Sequence, residues 1–271
     1  MEEEAYHRVS ITQRTLIVAG ASAADMLVNF PLWICAKCVS AGIPLPSLRN
    51  LYKGSGSLYF AMGPLTIVED RTTAVALDTI GDRLSVDLRH AASACISGGV
   101  AALTVGCQIE GIITRSHATG ETVLQTAVST HARGGFASIF VPYGAMMIAA
   151  REVPYAGCLF FLSGRIRTLL HGDRDSKGSA YSTSLQAVAT DVLAACLTAM
   201  VAGPISHVPS VIAAHQQAHS RSFVESCRAI RASSGRRGFL AGLVPRTISL
   251  VGSLFTVPFA IERIQPFVER I

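Results

Sequence analysis

Charged side chains are what this chain most lacks: Asp, Glu, Lys and Arg make up 15% of its 271 residues, where soluble domains carry about 25%. Forty-one acids and bases are too few to cover a soluble globule, while half of the residues are hydrophobic and mean hydropathy is +0.42. A net charge of +5 on so apolar a chain needs no polyanion, which excludes a nucleic-acid partner, and the apolarity excludes disorder. A disulfide framework is missing too, since the seven Cys are odd in number and scattered. The start, MEEEAYHRVS, has neither a basic n-region nor the Arg-rich character of a transit peptide, so any targeting signal is expected inside the mature chain. No P-loop, no GxGxxG after a strand pattern and no nucleophile elbow occurs, and an enzyme is not expected. These exclusions leave a membrane protein.

What is present is apolar and helical in period. A helix needs ~20 mostly apolar residues to cross hydrocarbon, and six stretches approach this: 13–38, 56–80, 88–115, 145–170, 184–217 and 246–269. Small residues and occasional charges interrupt each, which suits helices packed around a polar cavity. The competing reading is a soluble all-helical protein with long amphipathic helices.

An internal repeat organises the chain. LYKGSGSLYFAMGP (51–64), PYGAMMIAAREVP (142–154) and FLAGLVPRTISLVG (239–252) align on Gly54, Gly144 and Gly242, and ten residues later on Pro64, Pro154 and Gly252. The glycines are 90 and 98 residues apart, so three units are expected, 1–84, 85–180 and 181–271, each of two spans joined by a long loop.

LYKG at 51–54, REVPY at 151–155, PSVIAAHQ at 209–216 and GFLAGLVPR at 238–246 resemble the mitochondrial carrier family over nearly the whole chain. The resemblance implies an all-α membrane protein with six transmembrane helices in three pseudo-threefold repeats, multi-pass in the mitochondrial inner membrane. It also implies three loops with short helices on the matrix side and cardiolipin as a structural lipid. Phosphate would sit at helix starts near Gly144–Ala145 and Gly242–Leu243, where free backbone N–H groups and the helix dipole favour an anion.

In that family each odd helix carries a proline, an acid two residues on and a base five residues on, and the acid of one helix pairs with the base of the next to close the matrix side. Here the frame reads Pro31-Trp33-Ala36, Gln108-Glu110-Ile113 and Pro209-Val211-Ala214, so Glu110 alone remains of six charges. Arg115 lies two positions beyond the lost base of the second frame. On the even helices the frame reads Thr73-Ala74-Leu77, Ser163-Gly164-Arg167 and Ile261-Glu262-Gln265, keeping Arg167 and Glu262. Three of twelve gate charges survive. The first repeat is also short, 23 residues from Pro31 to Gly54 against 36 and 33, which leaves little room for a matrix helix.

By the family pattern Arg151-Glu152 falls at the cavity contact of the fourth helix, with Ala61 and Ser249 at the equivalent positions. An ionisable pair in a span is a functional candidate; a structural ion pair is the competing reading. Glu69-Asp70-Arg71 is an acidic cluster mid-span on the second helix, read as lining residual water, as binding a neighbour or as marking a different span boundary, and Asp25 and Asp191 are further intramembrane acids without repeat partners. Cys35 and Cys38 form a CxxC with no second pair to complete four zinc ligands, and His207, His215 and His219 share a helix face without acids, so no metal is expected. Arg221, Arg228, Arg231, Arg236 and Arg237 crowd one loop and suit anionic lipid, and the mixed-charge loop 171–182 would connect repeats on the other side.

Two functions fit. One is a transport-inactive, lipid-holding subunit of a larger inner-membrane assembly, a respiratory-chain complex or ATP synthase, with membrane lipids, cardiolipin above all, and neighbouring membrane proteins as partners and GSGSLYFAMG at 54–63 as the contact surface. The other is an active transporter exchanging a small amino-acid-like or cationic metabolite at Arg151 and Glu152. So thin a gate favours the first.

Overall fold

The computed structural model describes residues 10–171 and 185–270, and the fold below is that of these residues. All regular structure among them is helical: α1 (Ile11–Ala41), α2 (Ser55–Ile80), α3 (Val86–Thr119), α4 (Val123–Phe140), α5 (Ala145–Gly157), α6 (Ser163–His171), α7 (Leu185–His219), α8 (Phe223–Ser234) and α9 (Leu243–Val268). Local chemistry sets the boundaries. Ser10 with Gln13, Thr122 with Gln125 and Ser222 with Glu225 are reciprocal capping boxes that start α1, α4 and α8. Gly42, in the left-handed region at φ 68°, ends α1 by turning its N–H back to the carbonyls of Cys38 and Val39. α5 runs into α6 through a π-helical turn, Cys158–Leu162, and α3 contains another, Ala102–Gly106. The second frees the Leu103 carbonyl, and the Gln108 side chain donates to it at 2.9 Å and to Phe140 O at 2.9 Å.

Consecutive long helices pack side by side, α1 on α2, α2 on α3, α3 on α5, α5 on α7 and α7 on α9, and α9 returns along α1 to close a ring. At one end α1, α3 and α7 also touch one another. Alanines make that approach possible: Ala41, Ala214 and Ala218 are buried together with Ala118 and Ile43 beside them. Above them Phe30, Ile34 and Ile113 form an apolar cluster flanked by Trp33, and Val211, Ile212 and Ile230 form another, so Trp33, Ile113 and Val211 pack with hydrocarbon where the family frame would hold charges.

By length and composition this is a multi-pass membrane protein. Four helices are long and apolar enough to cross a bilayer, Thr12–Ala41, Val86–Thr119, Val188–His219 and Leu243–Val268; the pair Val123–Phe140 and Ala145–Gly157, bent by 42°, brings the number to five if it counts as one span. The sequence leads to an expectation of six. The difference lies in α2, which is 26 residues long but carries Glu69, Asp70, Arg71 and Asp78, and in the fourth stretch, which the π-turn divides. The short first repeat holds only a 3₁₀ turn, Leu48–Asn50, where the other two place α4 and α8. The N-terminal nine residues, up to Val9, and nearly all of the 171–182 loop lie outside the described residues.

Gly54, Gly144 and Gly242 play one structural part. Each is the residue before a helix, α2, α5 and α9, and each has left-handed backbone, with φ of 92°, 86° and 81°. Each also abuts a different odd helix: a Cβ would meet Ile113 on α3 at 2.9 Å, the Ala213 backbone on α7 at 3.1 Å and Ala36 O on α1 at 3.0 Å, respectively. A side chain in left-handed backbone costs roughly 1–2 kcal/mol before any clash. Gly144→Ala is therefore expected to lower the thermal unfolding midpoint more than Gly120→Ala, since Gly120 has φ of 77° but nothing within 4 Å of its Cβ position. Equal losses in a detergent-solubilised unfolding assay would remove the packing half of this account.

Candidate functional site

Four charged side chains meet inside the ring, at the end where the odd helices converge. Lys37 comes from α1, Glu110 from α3, and Arg151 and Glu152 from the second turn of α5; Lys37, Glu110 and Arg151 are each about 5% exposed or less. Arg151 donates Nη1 to Glu110 Oε1 and Nη2 to Glu110 Oε2, both at 2.7 Å, a two-pronged pairing that matches the guanidinium fork to the carboxylate plane. Its Nε donates to Glu152 Oε1 at 2.7 Å. Lys37 Nζ donates to the same Glu110 carboxylate and, at 3.1 Å, to Gln217 Oε1 on α7, and it lies 5.3 Å from the centre of the Trp33 ring. Glu110 thus accepts from two cations, and one carboxylate ties α1, α3 and α5 together while Gln217 brings in α7.

The family frame assigns Ala36 to the base position of α1 and counts no charge there; the structure places a base one residue on, at Lys37, whose flexible stem reaches across to Glu110. That base was legible. Lys37 is the sole charge between Asp25 and Arg49, and an isolated lysine in an apolar span needs an anionic partner. Gln217 left no comparable mark, because a glutamine near a helix end is ordinary.

Arg167 and Glu262 meet at the far end of the ring. Arg167 on α6 lies 3.4 Å from Asp191 on α7 and 3.5 Å from Glu262 on α9. Nearby, Arg14 on α1 pairs with Asp70 on α2 at 2.6 Å, Arg165 on α6 pairs with Asp87 on α3, and Gln13 donates to Val268 O at 3.4 Å. Arg14 and Lys37 are 23 residues apart on one helix, a rise of roughly 35 Å, so both ends of the ring are cross-linked in the same conformation. Asp70 and Asp191, unpartnered in the repeat frame, find their partners here; Asp25 accepts from Asn29 at 2.6 Å and Ser253 at 3.3 Å. Asn29 explains Gly252, since a Cβ at Gly252 would overlap its side chain.

Arg115 donates to Ser220 Oγ, joining α3 to the turn after α7. Before α2, Lys53 donates to Ser116 O at 2.7 Å; burial holds its ammonium below the ordinary lysine range, with Glu121 pulling the other way. Ala61 and Ser249 are buried and offer no charge. At the proposed lipid positions Gly144, Ala145 and Gly242 are buried and Leu243 is half-buried, with Met146 and Val244 exposed one residue further on. The Cys35 and Cys38 thiols are free. The His215 and His219 rings lie 4.5 Å apart, tilted by 51°, and His219 Nε2 lies 2.9 Å from Ala41 O. No group of three or more His, Cys, Asp or Glu arranged to hold a metal occurs among the described residues.

No protein-family profile matches the chain, and no curated protein does.

The network's dependence on Glu110 is open to measurement. Glu110→Gln leaves Lys37 without a carboxylate and Arg151 with Glu152 alone, and breaking a buried pair by removing one partner costs roughly 3–5 kcal/mol. Lys37→Met leaves the Arg151–Glu110 pair intact and is expected to cost much less. Thermal unfolding of the two purified variants in one detergent gives the ranking, and a Glu110→Gln variant as stable as wild type would refute it.

Proposed function

We propose that the chain is a divergent protein of the mitochondrial carrier fold, six spans in three pseudo-threefold repeats in the mitochondrial inner membrane, whose barrel no longer switches. Its role in this reading is that of a lipid-holding, structural subunit of a larger inner-membrane assembly such as a respiratory-chain complex or ATP synthase. The matching left-handed glycines before α2, α5 and α9, each seated on a different odd helix, support the repeat. The observation that carries the functional half is the state of Arg151. The residue that would greet an anionic substrate group is fully engaged with Glu110 and Glu152, and is 5% exposed. Ion pairs at both ends of the ring add to this, because alternating access needs one end open while the other is closed.

The alternative, exchange of a small amino-acid-like or cationic metabolite, rests on Glu152, whose side chain keeps 24% exposure. Reconstitution separates the two. Protein in liposomes is expected to give no saturable exchange of amino acids, nucleotides, carboxylates or phosphate; saturable uptake abolished by Arg151→Ala would replace the structural reading with the carrier.

Lipid and partner follow from the same proposal. Cardiolipin or another anionic lipid at Gly144–Ala145 and Gly242–Leu243 is expected to survive purification and appear in native mass spectra. In mild detergent the protein is expected to comigrate with a large inner-membrane complex, in contact through small and aromatic residues of 54–63. A lipid-free 28.6 kDa monomer on native gels would defeat both expectations.

A further inference from the structure

Arg246 is the cation that the central network leaves over. It stands on α9 one turn past Gly242 and is 8% exposed. Its Nη1 donates to Ser210 Oγ at 2.8 Å and its Nη2 to Ser206 Oγ at 3.2 Å, both on α7, while Nε has no partner. No carboxylate of the described residues lies within ion-pair distance of it. Ser206 gives its own proton to Ala202 O at 2.7 Å, so it faces the guanidinium as an acceptor, yet a hydroxyl dipole does not neutralise a full charge. Shedding the proton is no remedy either, because an arginine does not deprotonate in proteins.

The surroundings deepen the imbalance. Lys37, Arg151 and Arg246 are three buried cations whose fields overlap; Glu110 acts on all three and Glu152 on the two arginines, and both carboxylates are already bonded to Arg151. Asp25, the buried acid of α1, is held by Asn29 and Ser253. His207, next to Ser206, is 1% exposed, with the backbone of Leu240 and Ala241 as the acceptors nearest its ring. Buried polar groups are normally bonded, and buried charges paired. Arg246, more than nine-tenths buried, with an unpartnered Nε and no paired carboxylate, breaks both rules between α7 and α9.

We propose that Arg246, with Ser206, Ser210 and His207, binds a singly charged oxyanion, a carboxylate or a phosphate head, between α7 and α9. The guanidinium supplies planar N–H donors suited to such a group, its Nε among them. The start of α9, one turn away, turns its positive dipole end toward the same place. A bound monoanion gives Arg246 the direct counter-charge that the Ser206 and Ser210 hydroxyls do not. The site is separate from the Glu110 pairing and stands whether the barrel moves or is fixed. Two sources share this chemistry: a small free anion, and an acidic lipid reaching in between α7 and α9.

The test uses the full chain purified in neutral detergent. Thermal midpoints are measured with inorganic phosphate, with acetate, with phosphatidylglycerol and with phosphatidylcholine, for wild type, Arg246→Gln and Arg246→Met, and native mass spectra record any anion retained through purification. Wild type is expected to be stabilised by at least one of the three anions, or to retain one, and not to respond to phosphatidylcholine. Arg246→Gln is expected to weaken the response roughly tenfold or more, as hydrogen bonds to charged groups warrant. Without added anion, Arg246→Met is expected to be at least as stable as wild type, since it removes an uncompensated charge. A response to phosphate or acetate assigns a free anion, and one to phosphatidylglycerol alone assigns a lipid head. The proposal is overturned by a wild type that neither responds nor retains an anion, or by an Arg246→Gln variant that behaves like wild type. Should the Arg246 variants not fold, Ser210→Ala keeps the charge and removes one anchor, and an unchanged affinity there overturns the proposal equally. None of these outcomes bears on the liposome assay, so the two proposals fail separately.

Discussion

Glu110 accepts hydrogen bonds from two cations on two other helices, inside a ring whose walls are apolar. Charges do not enter such an interior singly. Desolvation penalises each of them by several kcal/mol, and the pairing has to return most of it through geometry. That requirement propagates outward: α3 must present position 110 toward the axis, α1 must bring Lys37 to it, and α5 must bring Arg151 edge-on so that two N–H groups meet two oxygens. The glycine start of α5 and the alanine contacts at the convergent helix ends allow backbones to come close enough for these side chains to meet.

Seen from that constraint, the two ends of the ring differ in kind. The pairs around Glu110 are buried and geometrically tight. At the far end Arg14–Asp70 is equally short, but the others are looser; Arg165 and Asp87 are each more than half exposed, and Arg167 reaches Asp191 and Glu262 only at 3.4 and 3.5 Å. Exposed pairs contribute little, typically 0–1 kcal/mol. The far end is tied by separate pairs, the near end by one shared carboxylate.

The helices were legible in the sequence because their signals are local. Hydropathy located long helices, four of them long and apolar enough to cross a bilayer, and the spacing of Gly54, Gly144 and Gly242 located three helix starts with a common backbone geometry. The ion network was half legible. Glu110, Arg151 and Glu152 could be named from the family frame, but the frame counts positions along a helix, and a lysine stem of four carbons can serve a partner from a neighbouring position. Lys37 escaped for that reason, and with it the fact that Arg151 faces Glu110. The partners of Arg14, Asp191 and Arg246 lie on helices remote in sequence, and nothing local encodes which of several candidates each will meet.

The unequal connections between helices have a mechanical consequence. From Ala41 to Ser55 the chain has 13 linking residues, with a single 3₁₀ turn among them, whereas α4 and α8 are interposed in the other two corresponding links. A short link is a stiff one. Tyr52 stiffens it further by donating its hydroxyl to Leu27 O at 2.7 Å, back along α1. Any deformation of the ring, by lateral pressure from the bilayer or by a neighbouring protein, will therefore be taken up at the two long links, with α1 and α2 moving as one plate.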